Sequence, residues 1–476
     1  MSLARLTVVL TLALAAVAVT TNARQRGGPD PEIRAHVDAF VAALKSGAAD
    51  HYEAMAQQHF APGLLARATP EARRAMFERI RKDFGAITVA GIRVIDGVVT
   101  IGVRGDTTLA GRVELALEPA SPFRITRVAV EVGDDGPPER SAPPIALKPE
   151  MSAADMTRTL DDYLKPLVER DAFAGVVLIA RDGVPVVQRA YGLADRERGI
   201  AAATDMRFNL GSINKLFTKA AIGQLVAAGK LALTDTVGAR LPDYPDTPAR
   251  QATIDQLLNH RGGIADFFGP AFDALPKDRF RSNADYYRFV AAQPVRFEPG
   301  AREEYCNGCY IVLGAIVERV SGLPYETYMT RHVFTPAGMA DAGWFAVDPL
   351  PARMARGYTR RAGPDRPDGP LHPNTAMHGA AGSAAGGGYA TAADLLAFDT
   401  ALRTGTLVDG PRTEWMLGGG PAKAGRAGGG IGAAGGAPGI NAALESDGAW
   451  TIVVLANLDP PAAIDVARSL RQALIR

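Results

Sequence analysis

The chain has 476 residues, 47% of them hydrophobic, and a formal net charge of +1. That length exceeds one ordinary hydrophobic core and predicts two domains with a linker. The near-balanced charge gives no electrostatic reason to expect nucleic acid or an acidic membrane surface as a partner. At the start, Arg5 precedes an apolar run from Leu6 to Val19, followed by small residues. The run falls short of the ~20 residues needed to span a bilayer, so residues 1–23 read as a signal peptide. Cleavage fits after Ala18 or Ala23, leaving a periplasmic or secreted protein with no membrane anchor.

Residues 31–132 form one compositional unit. In "EIRAHVDAFVAALKSG", Ile33, Val37, Phe40, Val41 and Leu44 recur at helical spacing, and Gly47 ends the pattern. A second helix is expected in "ADHYEAMAQQHF" and a third in "TPEARRAMFERIRKDFG", with Thr69 as N-cap and Pro70 at the first helical position. The period then changes to two, and four segments alternate as strands joined by Gly/Asp turns. Three helices followed by antiparallel strands make a small α+β domain whose order resembles the cone-shaped fold of the nuclear-transport-factor-like superfamily. His36, His51 and His59 are dispersed in it and read as surface residues. Residues 133–152, "GDDGPPERSAPPIALKPEMS", are rich in proline and charge and read as an extended linker.

Residues 153–476 form the larger unit. A helix opens it, and the hairpin "AGVVLIARDGVPVVQRAYGLAD" follows, turning at Asp182-Gly183. Two more strands, "GINAALESDG" and "AWTIVVLANL", and a helix close the chain. Strands at both ends with helices between predict one antiparallel sheet assembled from the two ends, plus an inserted helical lobe. The cleft between such lobes is the expected place for a site.

In "FNLGSINKLFTKAAIGQLVAAGKL", a helical stripe places Ser212 at a helix start and Lys215 one turn on, on the same face. A serine hydroxyl becomes a nucleophile when a neighbouring base takes its proton, and a lysine held neutral by burial or another cation is such a base. Alone, Ser-x-x-Lys is a weak signal, and a capping serine with an exposed lysine is its commoner explanation. Further on, "FEPGAREEYCNGCYIVLGAIVERVSG" places Tyr305 and Asn307 on a loop just before a helix. Together with "LLNHRGGIADFF", "AAGGGYATAADLLAF" and "GGAPGINAAL", these residues resemble the serine β-lactamase and penicillin-binding-protein superfamily over residues 155 to 475. The nearest branch is that of the class C β-lactamase-related esterases and peptidases, marked by Ser-x-x-Lys, Tyr-x-Asn and a Lys- or His-x-Gly strand.

The resemblance implies that Ser212 forms an acyl-enzyme, that Lys215 and Tyr305 are its general-base pair, and that Asn307 positions substrate and lysine. His260 reads as a structural loop histidine, and Thr391 with Asp394 as a capping box. The third motif departs from the pattern. "GAAGGAPG", residues 432–439, places Ala433 and Ala434 where relatives carry the cation and a polar residue. Gly435 and Gly436 remain, and the Gly436 amide is expected to join that of Ser212 as an oxyanion hole. Lys423, Arg426 and His378 are candidates to replace the lost cation.

Three readings follow: a serine hydrolase acting on an ester, amide or lactam carbonyl, with esters favoured; a catalytically weak or inactive relative that binds a cell-wall peptide or protein partner; and a thiol oxidoreductase through Cys306 and Cys309. A small-molecule or peptide substrate is expected, with no cofactor and no metal, because the seven histidines are scattered and two cysteines do not close a zinc site. Cys306 and Cys309 read as small, partly buried side chains beside the Tyr305 loop. The alternative is a small disulfide that stiffens that loop in an oxidising compartment.

Overall fold

The computed structural model describes residues 7–8, 31–66, 69–95, 98–105, 110–118, 120–132, 145–361, 369–409, 431–447 and 449–475. Most of the expected leader and of the linker therefore lies outside the described residues. The chain divides into two compact units, Met1–Ser141 and Ala142–Arg476. No described helix is long and apolar enough to cross a membrane.

In the first unit, helices Pro31–Ser46, Ala49–His59 and Pro70–Phe84 precede a meander of strands Ile87–Ile95, Val98–Gly105, Ala110–Leu117 and Ile125–Val132. Thr69 caps the third long helix, its side chain accepting from the Ala72 amide at 3.3 Å. Alternation along the second strand sends Val99, Ile101 and Val103 into a core with Phe40, Tyr52 and Phe77. Arg73 and Glu53 are buried together, with Arg73 Nε donating to Glu53 at 2.8 Å. His36 and His59 are not scattered surface residues. Both are half-buried and their Nδ1 atoms lie 2.9 Å apart, brought together across 23 residues by the packing of the first two helices. His51 is exposed.

The second unit has an antiparallel sheet whose order is Ile431–Ala437, Ile440–Ser446, Trp450–Ala456, Gly175–Arg181, Val184–Tyr191. The two chain ends thus meet in one sheet, and the helical lobe is inserted between them. Strand Gly175–Arg181 reads as an unbroken apolar run because both its faces are covered. Val177 and Ile179 pack with Leu160 and Leu164 of helix Ala153–Glu169 and Val466 and Leu470 of helix Ala462–Leu474. Val176 and Leu178 face the other way, into a core shared with Ile213, Phe217, Ile311 and Phe398. That second face carries the lobe. It holds helix Asn214–Ala227 and helix Asn307–Ser321 in contact with each other, so residues from two distant stretches converge there.

Candidate active site

Ser212 sits in a short 3-10 turn, Gly211–Ile213, that runs directly into helix Asn214–Ala227. The turn is pinned from both sides. The Gly211 amide donates to Asn209 Oδ1 at 2.9 Å, and Gly211 itself adopts a left-handed φ of 51°. Strand Ile431–Ala437 presses on the turn so closely that a methyl added to Gly211 would meet the Gly436 amide nitrogen at 3.0 Å. A methyl on Gly435 would meet the Leu210 carbonyl oxygen at 2.0 Å. Glycine is therefore required at 211 for both backbone conformation and space.

Two side chains converge on the Ser212 hydroxyl. Tyr305 Oη donates to Ser212 Oγ at 2.6 Å, and Lys215 Nζ donates to it at 3.1 Å. Lys215 is buried, and its Nζ also donates to Asn307 Oδ1 at 2.8 Å and to the Ala385 carbonyl at 2.6 Å. The same Nζ lies 4.8 Å from the centre of the Tyr305 ring. Asn307 opens helix Asn307–Ser321, and Tyr305 stands two residues before it, 42% exposed and so reachable from solvent. His260 stacks on Tyr305 with ring centres 4.8 Å apart, while its Nδ1 accepts from the Cys306 amide at 3.2 Å. It thus braces the Tyr305 loop from behind.

Ser212, Lys215, Tyr305 and Asn307 therefore form one hydrogen-bonded cluster, and Gly435 and Gly436 lie against the turn that carries Ser212. A cavity opens beside it, lined by Ser212, Asn307 and Gly436, with Phe267, Phe268, Phe345, Val347 and Leu350 among its apolar walls. His378 also lines the cavity; its Nε2 donates to the Pro438 carbonyl at 2.9 Å, and burial holds the imidazole below its ordinary pKa. Lys423 and Arg426 lie outside the described residues. Thr391 and Asp394 form a capping box on helix Ala392–Arg403.

The cysteines require a correction. Cys306 and Cys309 are joined as a disulfide, not two small thiol side chains. Cys306 is the N-cap of helix Asn307–Ser321 and Cys309 lies three residues on, which brings their Cα atoms to 5.3 Å, within the span a disulfide bridges. The bridge brackets Asn307 and begins one residue after Tyr305.

Two contributors to the cluster carried no sequence signal. Asp266 accepts from Asn307 Nδ2 at 2.9 and 3.3 Å. The Ala385 carbonyl comes from the glycine-rich stretch before helix Ala392–Arg403, a stretch that as sequence reads only as a turn.

The beta-lactamase family model matches residues 160–476. The chain belongs to the beta-lactamase family. The chain is 30% identical over 268 residues to a Bacillus subtilis (strain 168) protein assigned as the penicillin-binding protein PbpX, covering 56% of this chain and 63% of that one. It is 33% identical over 213 residues to esterase EstB of Burkholderia gladioli, covering 42% of this chain and 54% of EstB. The chain thus spans 54% to 63% of the length of these two relatives. The crystal structure of a penicillin binding protein from Bacillus halodurans superposes with a TM-score of 0.58 at 29% identity, covering 65% of this chain and 99% of that one. The beta-lactamase family match leaves out the first unit.

Proposed function

We propose that the protein is an exported serine hydrolase that cleaves a neutral ester through an acyl-enzyme on Ser212. The observation that carries this reading is the convergence of Tyr305 Oη and Lys215 Nζ on the Ser212 hydroxyl, at 2.6 and 3.1 Å. Ser212 Oγ attacks the carbonyl carbon and its proton passes to the Tyr305–Lys215 pair. The backbone amides of Ser212 and Gly436 receive the oxyanion. The carbonyl–oxygen bond to the leaving group breaks and the stored proton goes to the leaving oxygen. Water, deprotonated by the same pair, then attacks the acyl carbon, the bond to Ser212 Oγ breaks to release the acid, and the proton taken from water returns to Oγ.

A neutral substrate follows from charge. Among the described residues lining the cavity, the basic side chains are Arg356 and His378. Arg356 Nε lies 3.5 Å from Asp195 and 3.4 Å from Glu197, and burial favours neutral His378. Ala433 and Ala434 supply no cation either, so among the described residues lining the cavity a substrate carboxylate would lose its hydration without a ready partner. The aromatic walls favour an apolar acyl or alcohol group, and the esterase relative supports an ester over a lactam. The apolar leader and the Cys306–Cys309 bridge support export to an oxidising compartment.

The test is labelling by a fluorophosphonate probe. Wild type is expected to label and Ser212→Ala not to. Absence of labelling in both, with no ester turnover, would instead favour the non-catalytic binding role.

A further inference from the structure

We propose that Asp266 is a positioning residue: it fixes the amide of Asn307 and, through that amide, aims Lys215 at Ser212. The inference rests on the reading of Ser212 as nucleophile. An asparagine amide has two unlike ends, an acceptor oxygen and a donor NH2 group. Here Nδ2 donates to Asp266 at 2.9 and 3.3 Å, and Oδ1 accepts from Lys215 at 2.8 Å. Turning the amide over would set its oxygen against the Asp266 carboxylate and its NH2 against the lysine. With Asp266 ionised, both contacts would become unfavourable at once, so the carboxylate permits one orientation.

That orientation decides what Lys215 can do. The Asn307 oxygen and the Ala385 carbonyl are acceptors only, at 2.8 and 2.6 Å from Nζ, and between them they take two N–H groups. The remaining tetrahedral direction faces Ser212 Oγ at 3.1 Å. In the donating form that direction holds the third N–H; once that proton has left it holds the lone pair, which is the place a base needs it. With Asn307 turned over, one acceptor is lost and the lone pair is free to face the Asn307 NH2 instead of the serine.

Asp266 is itself held. The Phe268 amide donates to its Oδ1 at 3.1 Å, closing a local turn that fixes the carboxylate. Burial raises its carboxyl above the ordinary range, opposed first by the hydrogen bonds from the Phe268 amide and Asn307 and then by the basic groups of Lys215 and Arg296. Asp266 does not line the cavity, whereas its neighbours Phe267 and Phe268 do, so it acts on the reaction through Asn307.

The test is a double-mutant cycle on the full chain with p-nitrophenyl butyrate as probe. Asp266→Ala is expected to lower kcat about 100-fold, the scale of a misplaced catalytic group, with KM within about threefold. In an Asn307→Ala background the same change is expected to lower kcat less than about threefold, because the amide through which it acts is gone. Asp266→Asn, which preserves shape and one acceptor, is expected to fold as wild type and lose about tenfold; it carries the cycle if the alanine variant is unstable. Equal losses in both backgrounds, or no loss in either Asp266 variant while wild type turns over, overturn the role of Asp266. Wild type that neither turns over the ester nor labels with fluorophosphonate overturns the underlying reading of Ser212 itself.

Discussion

The Tyr305 hydroxyl is nearer to Ser212 Oγ than Lys215 Nζ is, 2.6 Å against 3.1 Å. The tyrosine is also the more exposed of the two, while Lys215 is buried under its ring. Tyr305 is therefore placed to exchange protons with both the serine and a leaving group in the cavity. Tyr305→Phe keeps the ring stacked on His260 and removes only the hydroxyl. It is expected to lower kcat for p-nitrophenyl butyrate about 100-fold or more with little change in KM. Steady-state kinetics checks this, and a variant with wild-type kcat would remove Tyr305 from the proton path.

The disulfide closes a loop of four residues, so chain-entropy arguments give it about 2 kcal/mol of stability. In Cys306→Ser/Cys309→Ala the serine still serves as N-cap, so the loss isolates the covalent link. Urea unfolding is expected to show a drop of about that size, with a smaller kcat as the Tyr305 loop loosens. Unreduced protein is expected to be lighter than reduced protein by the two thiol hydrogens. Two alkylatable thiols without reductant would contradict the bridge.

His378 gives stability a pH dependence of definite sign. Burial holds its folded pKa below the ordinary 6.5, ahead of the opposing pull of the Pro438 carbonyl and of Asp459. As pH falls below 6.5, the unfolded chain takes up the proton first, so the native state loses stability down through the depressed folded pKa. Above 6.5 that contribution is fully present. His378→Gln retains a donor for Pro438 and does not titrate. The urea midpoint of wild type is expected to fall more steeply between about pH 7 and pH 5 than that of the variant. Parallel curves would contradict it.

Charge selectivity follows from the third motif. A p-nitrophenyl ester with an uncharged acyl chain is expected to exceed its carboxylate-ended analogue in kcat/KM by about tenfold or more. Ala433→Lys restores a cation to the strand beside Ser212 and is expected to narrow that gap. A wild-type ratio near one would show that another group already serves the carboxylate, and a gap that Ala433→Lys leaves unchanged would contradict the role given to the third motif.

Much of this site is legible in the sequence because it is written in local spacing. Ser212 and Lys215 share a helix face, and Tyr305 and Asn307 flank a helix start, so short motifs carry them. The sheet was equally readable from strands at both ends, although burial of both faces hid the alternation in Gly175–Arg181. Asp266 escaped because its partner lies 41 residues away and no period links them. The Ala385 carbonyl escaped because a backbone oxygen has no residue type to announce it. His36 and His59 looked scattered for the same reason, their contact being made by the packing of helices. The two cysteines showed their spacing but not their bond, since a Cys-x-x-Cys stretch at a helix start suits thiols and a bridge alike.

The central claim is that Ser212 carries the acyl group. Wild type mixed rapidly with p-nitrophenyl butyrate, quenched in acid and digested is expected to yield a butyrylated peptide containing Ser212. Ser212→Ala is expected to yield no acylated peptide and no turnover. Butyrylation at another residue, or ester hydrolysis retained by Ser212→Ala, would contradict the account.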